Sequence, residues 1–379
     1  MAFIILFLIL VFFPDVYIGW SFLRGASVLW KIVFALPSVI LLATLVAGAL
    51  GHYQNWLMNL FFGLLVCVTL PKLLFTVVSL IGRLVAVVSP GSYPVINIVG
   101  VAVAVIGCCA SAYGLAYGWK HVVTKHIEVT SGKLPATFDG YTIVQLSDFH
   151  IGTYESAPNT VHEIVERVNA LQPDLIVFTG DLVNVSPQEL NPFMDALKQL
   201  RAKDGVLSIL GNHDYCTYQH YDTADGALRN LEELKRREKT IGWDLLLNEH
   251  RVIQRGRDSI VIVGVENDGK PPFPSRADLP KALKGTDDDC FKVLLSHDPT
   301  HWRRNILPET NAVLTLSGHT HAMQLKLGSY SPAALTYAEW GGLYSEADRY
   351  LHVSTGVGSN VGFRFGAWPE IDVIRLRTK

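Results

Sequence analysis

Residues 142–150 read TIVQLSDFH, residues 175–184 LIVFTGDLVN and residues 206–214 VLSILGNHD. Each is a short aliphatic, β-branched run that breaks off into small and polar residues, the pattern of a buried strand feeding a loop. The strand readings are Thr142–Leu146, Leu175–Phe178 and Val206–Leu210. Ile260–Val265, Val293–Leu295, Ala312–Leu316, Leu351–Ser354 and Ile371–Leu376 repeat the pattern. Between these runs, Val161–Leu171, Pro192–Leu200 and Leu228–Glu238 place apolar residues at helical intervals. Short strands alternating with helices predict a layered α/β domain over an all-β one. Pro271, Pro272 and Pro274 mark Lys270–Pro274 as a loop.

Moving toward the N-terminus, the composition changes. Of 32 Lys and Arg and 34 Asp and Glu, residues 1–119 contain only Arg24, Lys31, Lys72, Arg83 and Asp15. Four stretches there approach the roughly 20 apolar residues that cross a bilayer: Ala2–Ser21, Ile32–Leu50, Trp56–Ile81 and Val95–Tyr117. Trp20, Trp30, Trp56 and Trp119 sit near their ends, where indoles favour the headgroup level. The first stretch lacks the basic start of a cleaved signal peptide and is expected to stay as a helix. Pro37 is tolerated inside a span, and Lys72 is expected to snorkel or face the bundle as an anchor.

The expected organisation of the 379 residues is therefore an all-α transmembrane region of about four helices (1–119), a linker (120–139) and the α/β domain (140–379). Basic connections near Arg24 with Lys31 and near Arg83, against none around Gly51–Asn55, place the α/β domain outside the cytoplasm by the positive-inside rule. Lys120, Lys125 and Lys133 pull the other way. A net charge of −2 gives no basic surface for nucleic acid, and five scattered cysteines give no disulfide scaffold.

The chemistry-bearing residues stand at strand ends. LSDFH offers Asp148 and His150, and TGDLVN offers Asp181. GNHD offers Asn212, His213 and Asp214. SHD offers His297, and GHTH offers His319 and His321. A single such motif is usually a turn or a satisfied core histidine. Five of them at the carboxyl edge of one sheet converge on one crevice. Burying three acids, an amide and five imidazoles without purpose would be costly. Nitrogen and oxygen donors without thiolate suit Mn, Fe, Zn or similar divalent ions rather than structural zinc. The donors are too many for one ion with an open position, and two ions about 3.5–4 Å apart sharing a carboxylate would use them all. Such pairs activate water and stabilise in-line displacement at phosphorus.

As a set, Asp148-x-His150, Gly180-Asp181-x-x-Asn184, Gly211-Asn212-His213-Asp214, His297 and Gly318-His319-Thr320-His321 resemble the calcineurin-like metallophosphoesterase superfamily, in the order of its membrane-attached bacterial branch. The resemblance covers about two-thirds of the chain, through the ending GAWPEIDVIRL, and no motif position is missing. It implies a four-layer α/β/β/α sandwich. It implies one metal on Asp148, His150, Asp181 and His321, with Asp181 bridging to a second on Asn212, His297 and His319. His213 would stand beside the scissile phosphate, oriented by Asp214, and protonate the leaving group or stabilise phosphoryl oxygens, while a hydroxide shared by the two metals attacks.

Asn184 is then a residue that supports the metal ligands from behind or fixes the loop, Arg364 in GFRFG a candidate phosphate contact or a solvated arginine, and His301 an outward-facing residue at a helix start rather than a metal ligand. The expected activity is that of an integral, multi-pass hydrolase of the cell (inner) membrane, cleaving phosphodiester or pyrophosphate bonds. Four spans where one anchor would suffice point to a phosphorylated, lipid-linked substrate and to membrane lipids as partners. Related activities include cleavage of the pyrophosphate in UDP-diacylglucosamine. The rival reading is a membrane sensor or scaffold whose metal-bound domain only binds phosphorylated ligands.

Overall fold

Apolar length dominates the first 120 residues, and the computed structural model, which describes residues 2–50, 55–271 and 273–379, turns it into helices. Residues 1–118 with 361–365 form one unit and residues 119–360 with 366–379 another. Helices Ala2–Ser21 and Val28–Ala49 come first. Asn55–Leu64 and Leu70–Ala86 follow, joined through a π-helical turn at Leu65–Thr69, and Ser92–Ala116 comes last. Four spans, Ile4–Ser21, Val28–Gly48, Trp56–Ala86 and Ser92–Lys120, are long and apolar enough to cross a membrane.

Their limits differ from the hydropathy reading for local reasons. The second helix starts four residues early because Ser27 caps it, its hydroxyl accepting from Trp30 N. The third runs on to Ala86 because the π turn absorbs Pro71. Proline supplies no N–H to the carbonyl of Cys67 four residues earlier, and the Cys108 thiol donates to that carbonyl at 3.6 Å. The connection at residues 51–54, which bears on the orientation argument, lies outside the described residues. Lys72 faces the bundle: its ammonium is 2.7 Å from Asp15 and donates to the Phe34 carbonyl at 2.8 Å.

In the second unit two six-stranded sheets stack. One has the order β1 (Val123–Ser131), β12 (Glu370–Thr378), β2 (Thr142–Leu146), β3 (Leu175–Phe178), β4 (Val206–Ser208), β5 (Asp244–Leu245). The other runs β10 (Gly342–Glu346), β11 (Arg349–Val353), β9 (Leu314–Ser317), β8 (Phe291–Leu295), β7 (Asp258–Gly264), β6 (Glu249–Arg255). Ile143, Val177, Ile262, Val293 and Leu316 fill the space between the sheets. The outer face of the first sheet packs on helices Pro158–Ala170 and Gly226–Ile241 through Val144, Ile164 and Leu234. The outer face of the second packs on Trp302, Ile306 and Leu279. These are the four layers of an α/β/β/α sandwich.

Residues 120–139 are not a linker. They contain β1, which pairs in parallel with β12 over nine residues. Its polar positions at Lys125, His126 and Glu128 hide it from an apolar-run search. As an edge strand, with partly exposed positions throughout its first half, it tolerates them. The loop at 270–274 is present in its described residues; Pro272 lies outside them.

Candidate metal centre

Parallel strands β2, β3 and β4 end at one edge of their sheet, and β8 and β9 end at the matching edge of the other. The polar residues that follow are drawn together by backbone contacts between loops. Asp148 N donates to Gly180 O at 2.8 Å, and His150 N to Asp181 O at 3.1 Å. The Asp148 carboxylate accepts from His319 N at 3.0 Å, tying the two sheets together. A side chain at Gly211 would run into the Asp181 carboxylate, and one at Gly318 into Ser147 and Asp148, so these glycines permit the close approach.

Six of the seven expected metal ligands form a continuous chain of donor atoms. Asp148 Oδ1 lies 3.4 Å from His321 Nε2, which lies 3.2 Å from His150 Nε2. His150 Nε2 is 3.5 Å from Asp181 Oδ2, and Asp181 Oδ2 is 3.2 Å from His297 Nε2. His297 Nε2 is in turn 3.3 Å from His319 Nδ1. Three overlapping groups (Asp148, His150, His321; His150, Asp181, His213; Asp181, His297, His319) each keep their ligand atoms within 4.8 Å. The seventh, Asn212, is 2% exposed; its Nδ2 donates to Tyr218 Oη at 2.8 Å, and its buried Oδ1 has no partner among the described residues.

This donor set fits divalent cations. Facing imidazole nitrogens present lone pairs to each other unless a proton or a cation lies between them, and a buried amide oxygen without a donor is an open acceptor. The ring nitrogens not aimed inward are committed elsewhere. His297 Nδ1 donates to Thr179 O at 2.8 Å, and His319 Nε2 meets Tyr337 Oη at 3.1 Å. Such partners fix ring orientation and leave the opposite nitrogen for a metal.

The electrostatics agree. Burial opposes charge on Asp181, yet the surrounding imidazoles, His297 first, hold its carboxyl well below the usual range. Burial likewise opposes charge on His297, and Asp181 overcomes it, raising the ring to about 10. Asp148, by contrast, is pushed up to about 6, chiefly by burial.

His213 is placed differently from the sequence expectation. Its N–H donates to Asp181 Oδ1 at 2.8 Å, and its ring Nδ1 donates to the Asn184 carbonyl at 2.6 Å. Asp214 does not orient it. Both Asp214 oxygens are taken by backbone N–H groups, those of Asp181 and Gly211 on Oδ2 and those of Leu182 and Val183 on Oδ1. A carboxylate so occupied braces two loops and has no geometry left for its neighbour's ring. Asn184 ties its loop to the one after β2: its Nδ2 donates to Thr153 Oγ1 at 3.0 Å.

Other residues lay beyond the sequence reading. Glu189 accepts from the N–H groups of Asn184, Val185 and Ser186, and so sets the carbonyl that holds His213. Its signal was present as the capping box Ser186-x-x-Glu189. Tyr218 gave no signal; its ring packs on His213 with centroids 4.4 Å apart while its hydroxyl holds Asn212. His301 is buried rather than outward-facing, with Nδ1 2.9 Å from Ser296 Oγ. Arg364 is completely buried, so it is no solvated surface arginine; its N–H donates to Gly114 O at 3.3 Å within the apolar-helix unit.

Comparison with known proteins places these residues in company. The family model of the calcineurin-like phosphoesterases matches residues 141–323. The uncharacterized metallophosphoesterase YkuE of Bacillus subtilis is 30% identical over 282 residues, covering 70% of this chain and 91% of YkuE. UDP-2,3-diacylglucosamine pyrophosphatase LpxG of Chlamydia muridarum is 26% identical over 293 residues, 64% of this chain and 86% of LpxG. A transmembrane protein with metallophosphoesterase domain from Danio rerio is 29% identical over 227 residues, 58% of this chain. The match spans about half, 49%, of that fish protein.

Proposed function

The chain belongs to the calcineurin-like metallophosphoesterases, hydrolases of phosphoester and phosphoanhydride bonds, and from that premise we propose a dinuclear membrane enzyme acting on a lipid-linked phosphate. The observation that carries the proposal is the position of Asp181. One carboxylate oxygen lies 3.5 Å from His150 and 3.2 Å from His297, which supports one residue serving both ligand groups. Asp148, His150 and His321 would complete one metal position, and His297, His319 and Asn212 the other. Two divalent ions so held would supply water activation and charge stabilisation at phosphorus.

The chain's own residues supply the rest. The Asn184 carbonyl pins His213 Nδ1, leaving Nε2 as the ring atom that meets substrate. When charged, the ring donates from Nε2 to the leaving oxygen. Asp181 holds the backbone of His213 through its second oxygen, so ring position and ligand position are set by one side chain. The lipid-linked substrate rests on the four apolar spans and on the similarity to LpxG, whose substrate is a diacylglucosamine nucleotide. We place the hydrolase unit outside the cytoplasm of a multi-pass inner-membrane protein. Arg24, Lys31 and Arg83 flank the first and third connections, and by the positive-inside rule they face the cytoplasm. An alkaline phosphatase fused after Lys379 is expected to be active, and a fusion fluorescent only in the cytoplasm reverses the topology.

Purified protein with Mn²⁺ is expected to hydrolyse a nitrophenyl phosphodiester, whereas a binding scaffold would not. His213→Gln should lower kcat by about 10²–10⁴ for an alkoxide leaving group and less for a nitrophenolate, with metal content retained. Equal losses on both substrates would remove His213 as the acid. Lipid analysis of a deletion strain, seeking one accumulating phospholipid or glycolipid, identifies the substrate.

A further inference from the structure

An ion pair inside the membrane unit plays no part in hydrolysis. Asp15 and Lys72 meet at 2.7 Å with side chains only 8% and 10% exposed. Ionisable side chains within apolar spans are costly, a few kcal/mol each by insertion scales, and mark sites more often than they decorate helices. Lys72 is fully engaged, since it also donates to Phe34 O and lies 4.1 Å above the Phe34 ring. Asp15 is not. Its Oδ2 is buried and has no hydrogen-bond partner among the described residues.

Asp15 lines a cavity of about 420 Å³ wedged between the first two helices, together with Trp20, Arg24, Lys31 and Phe34. Asp15 lies six residues before the end of its helix, about 9 Å deep at 1.5 Å per residue. Phe34 lies six residues into the next helix, at a matching depth. Arg24 and Lys31 stand at the connecting-turn end, the level of lipid phosphates. Both are held in place: Lys31 Nζ donates to Arg24 O at 3.1 Å, and the Arg24 guanidinium lies 4.6 Å over the Trp20 ring. With Lys72 behind, three cations face one carboxylate. The wedge therefore attracts an anion while offering one acceptor at its inner end.

We propose that this wedge binds the headgroup of an anionic phospholipid that also carries a hydroxyl. Its phosphate lies between Arg24 and Lys31, and a hydroxyl donates to Asp15 Oδ2. Its acyl chains follow the exposed apolar residues Phe13 and Val16 on the same helix. The site is independent of the hydrolytic reaction and selects a lipid by two features at once, charge and a donor.

The test is native mass spectrometry of the full-length protein in detergent, titrated with phosphatidylglycerol, phosphatidic acid and phosphatidylcholine, with soluble glycerol 3-phosphate as competitor. Phosphatidylglycerol is expected to bind about tenfold or more tighter than phosphatidylcholine, with phosphatidic acid between them. Arg24→Gln with Lys31→Gln should bring phosphatidylglycerol to the phosphatidylcholine level. Asp15→Asn combined with Lys72→Met, which leaves no unpaired charge in the bundle, should bring it to the phosphatidic acid level. Equal binding of all three lipids, or an undiminished preference in the Arg24 and Lys31 variant, overturns the site. Competition by glycerol 3-phosphate at concentrations equal to the lipid overturns the lipid as its occupant.

Discussion

Replacing Asp214 by asparagine separates two accounts of the same residue. If Asp214 held the His213 tautomer, the substitution would leave the fold intact and slow only proton transfer. The structure instead gives its two oxygens four backbone donors: Asp181 N and Gly211 N at 2.8 Å on one, Leu182 N and Val183 N at 2.8 and 3.3 Å on the other. Whichever oxygen becomes an amide nitrogen, two N–H groups then face another donor. Hydrogen bonds to a charged group contribute about 1.5–3 kcal/mol each, so two lost bonds remove about 3–6 kcal/mol. Burial, and after it the Asp181 charge, opposes ionisation of Asp214, pushing its carboxyl up to about 7, and offsets part of what those bonds contribute. The lower figure, about 3 kcal/mol, is the expectation. For a domain of this size it lowers Tm by roughly 6–12 °C. The loops carrying Asp181 and Asn212 should separate and metal content should fall with them. The assay is thermal unfolding of the detergent-purified protein beside elemental analysis. An unchanged Tm and metal content, with a kcat loss confined to alkoxide leaving groups, would refute the brace and restore the tautomer account.

Asp181→Asn should abolish turnover and deplete metal from both positions; two metals still bound, with activity near wild type, would sink the shared-carboxylate arrangement. Tyr218→Phe keeps the ring on His213 but removes the acceptor of Asn212 Nδ2. Metal affinity should therefore fall about tenfold with leaving-group dependence unchanged, and an unaltered Mn²⁺ titration would dismiss Tyr218 as a positioning residue. Glu238 is fully buried against Ser208, and burial raises its carboxyl to about 8. A raised folded-state pKa means that its contribution to stability is complete below about 4.5 and is lost as pH rises through about 8. Glu238→Gln should thus gain Tm relative to wild type at pH 8.5 more than at pH 5.5, and an equal difference at both pH values would show that Glu238 does not titrate in that window.

The sandwich was legible because its central strands are buried on both faces. Ile143, Val177, Leu207 and Val293 are all nearly or wholly inaccessible, and a strand covered on two sides reads as an apolar run. The strands that escaped, β1, β5, β6 and β10, include both edges of each sheet. An edge strand has one neighbour and exposed positions, so its sequence carries polar residues and loses contrast with a loop. The candidate metal ligands stand out for a related reason. Each follows one of the apolar runs by two to five residues, so finding the strands brings out the candidate site. The partners of those ligands do not stand out. Tyr218 and Tyr337 come from loops with no periodic signal, and Asn184 acts on His213 through a backbone carbonyl, which every residue possesses.

The backbone holds the candidate ligands in place. Asp148, His150, Asp181, His319 and His321 all have positive φ, from +43° to +74°, a region that disfavours side chains by roughly 1–2 kcal/mol per residue. Five such residues in one crevice would not persist unless their surroundings over-determined them. They do: Asp148 N and His150 N bond to the loop after β3, His319 N bonds to the Asp148 carboxylate, and Asp214 gathers the loops after β3 and β4. The left-handed turn is also what reverses each side chain at a strand end and aims it back across the sheet edge. Strain and site are thus one feature. Relaxing any of these residues into an ordinary conformation would restore local comfort and swing a ligand away from its neighbours. The strain is spread over several strand ends, so it is opposed by the packing of both sheets together, and the donors stand 3.2–3.5 Å apart.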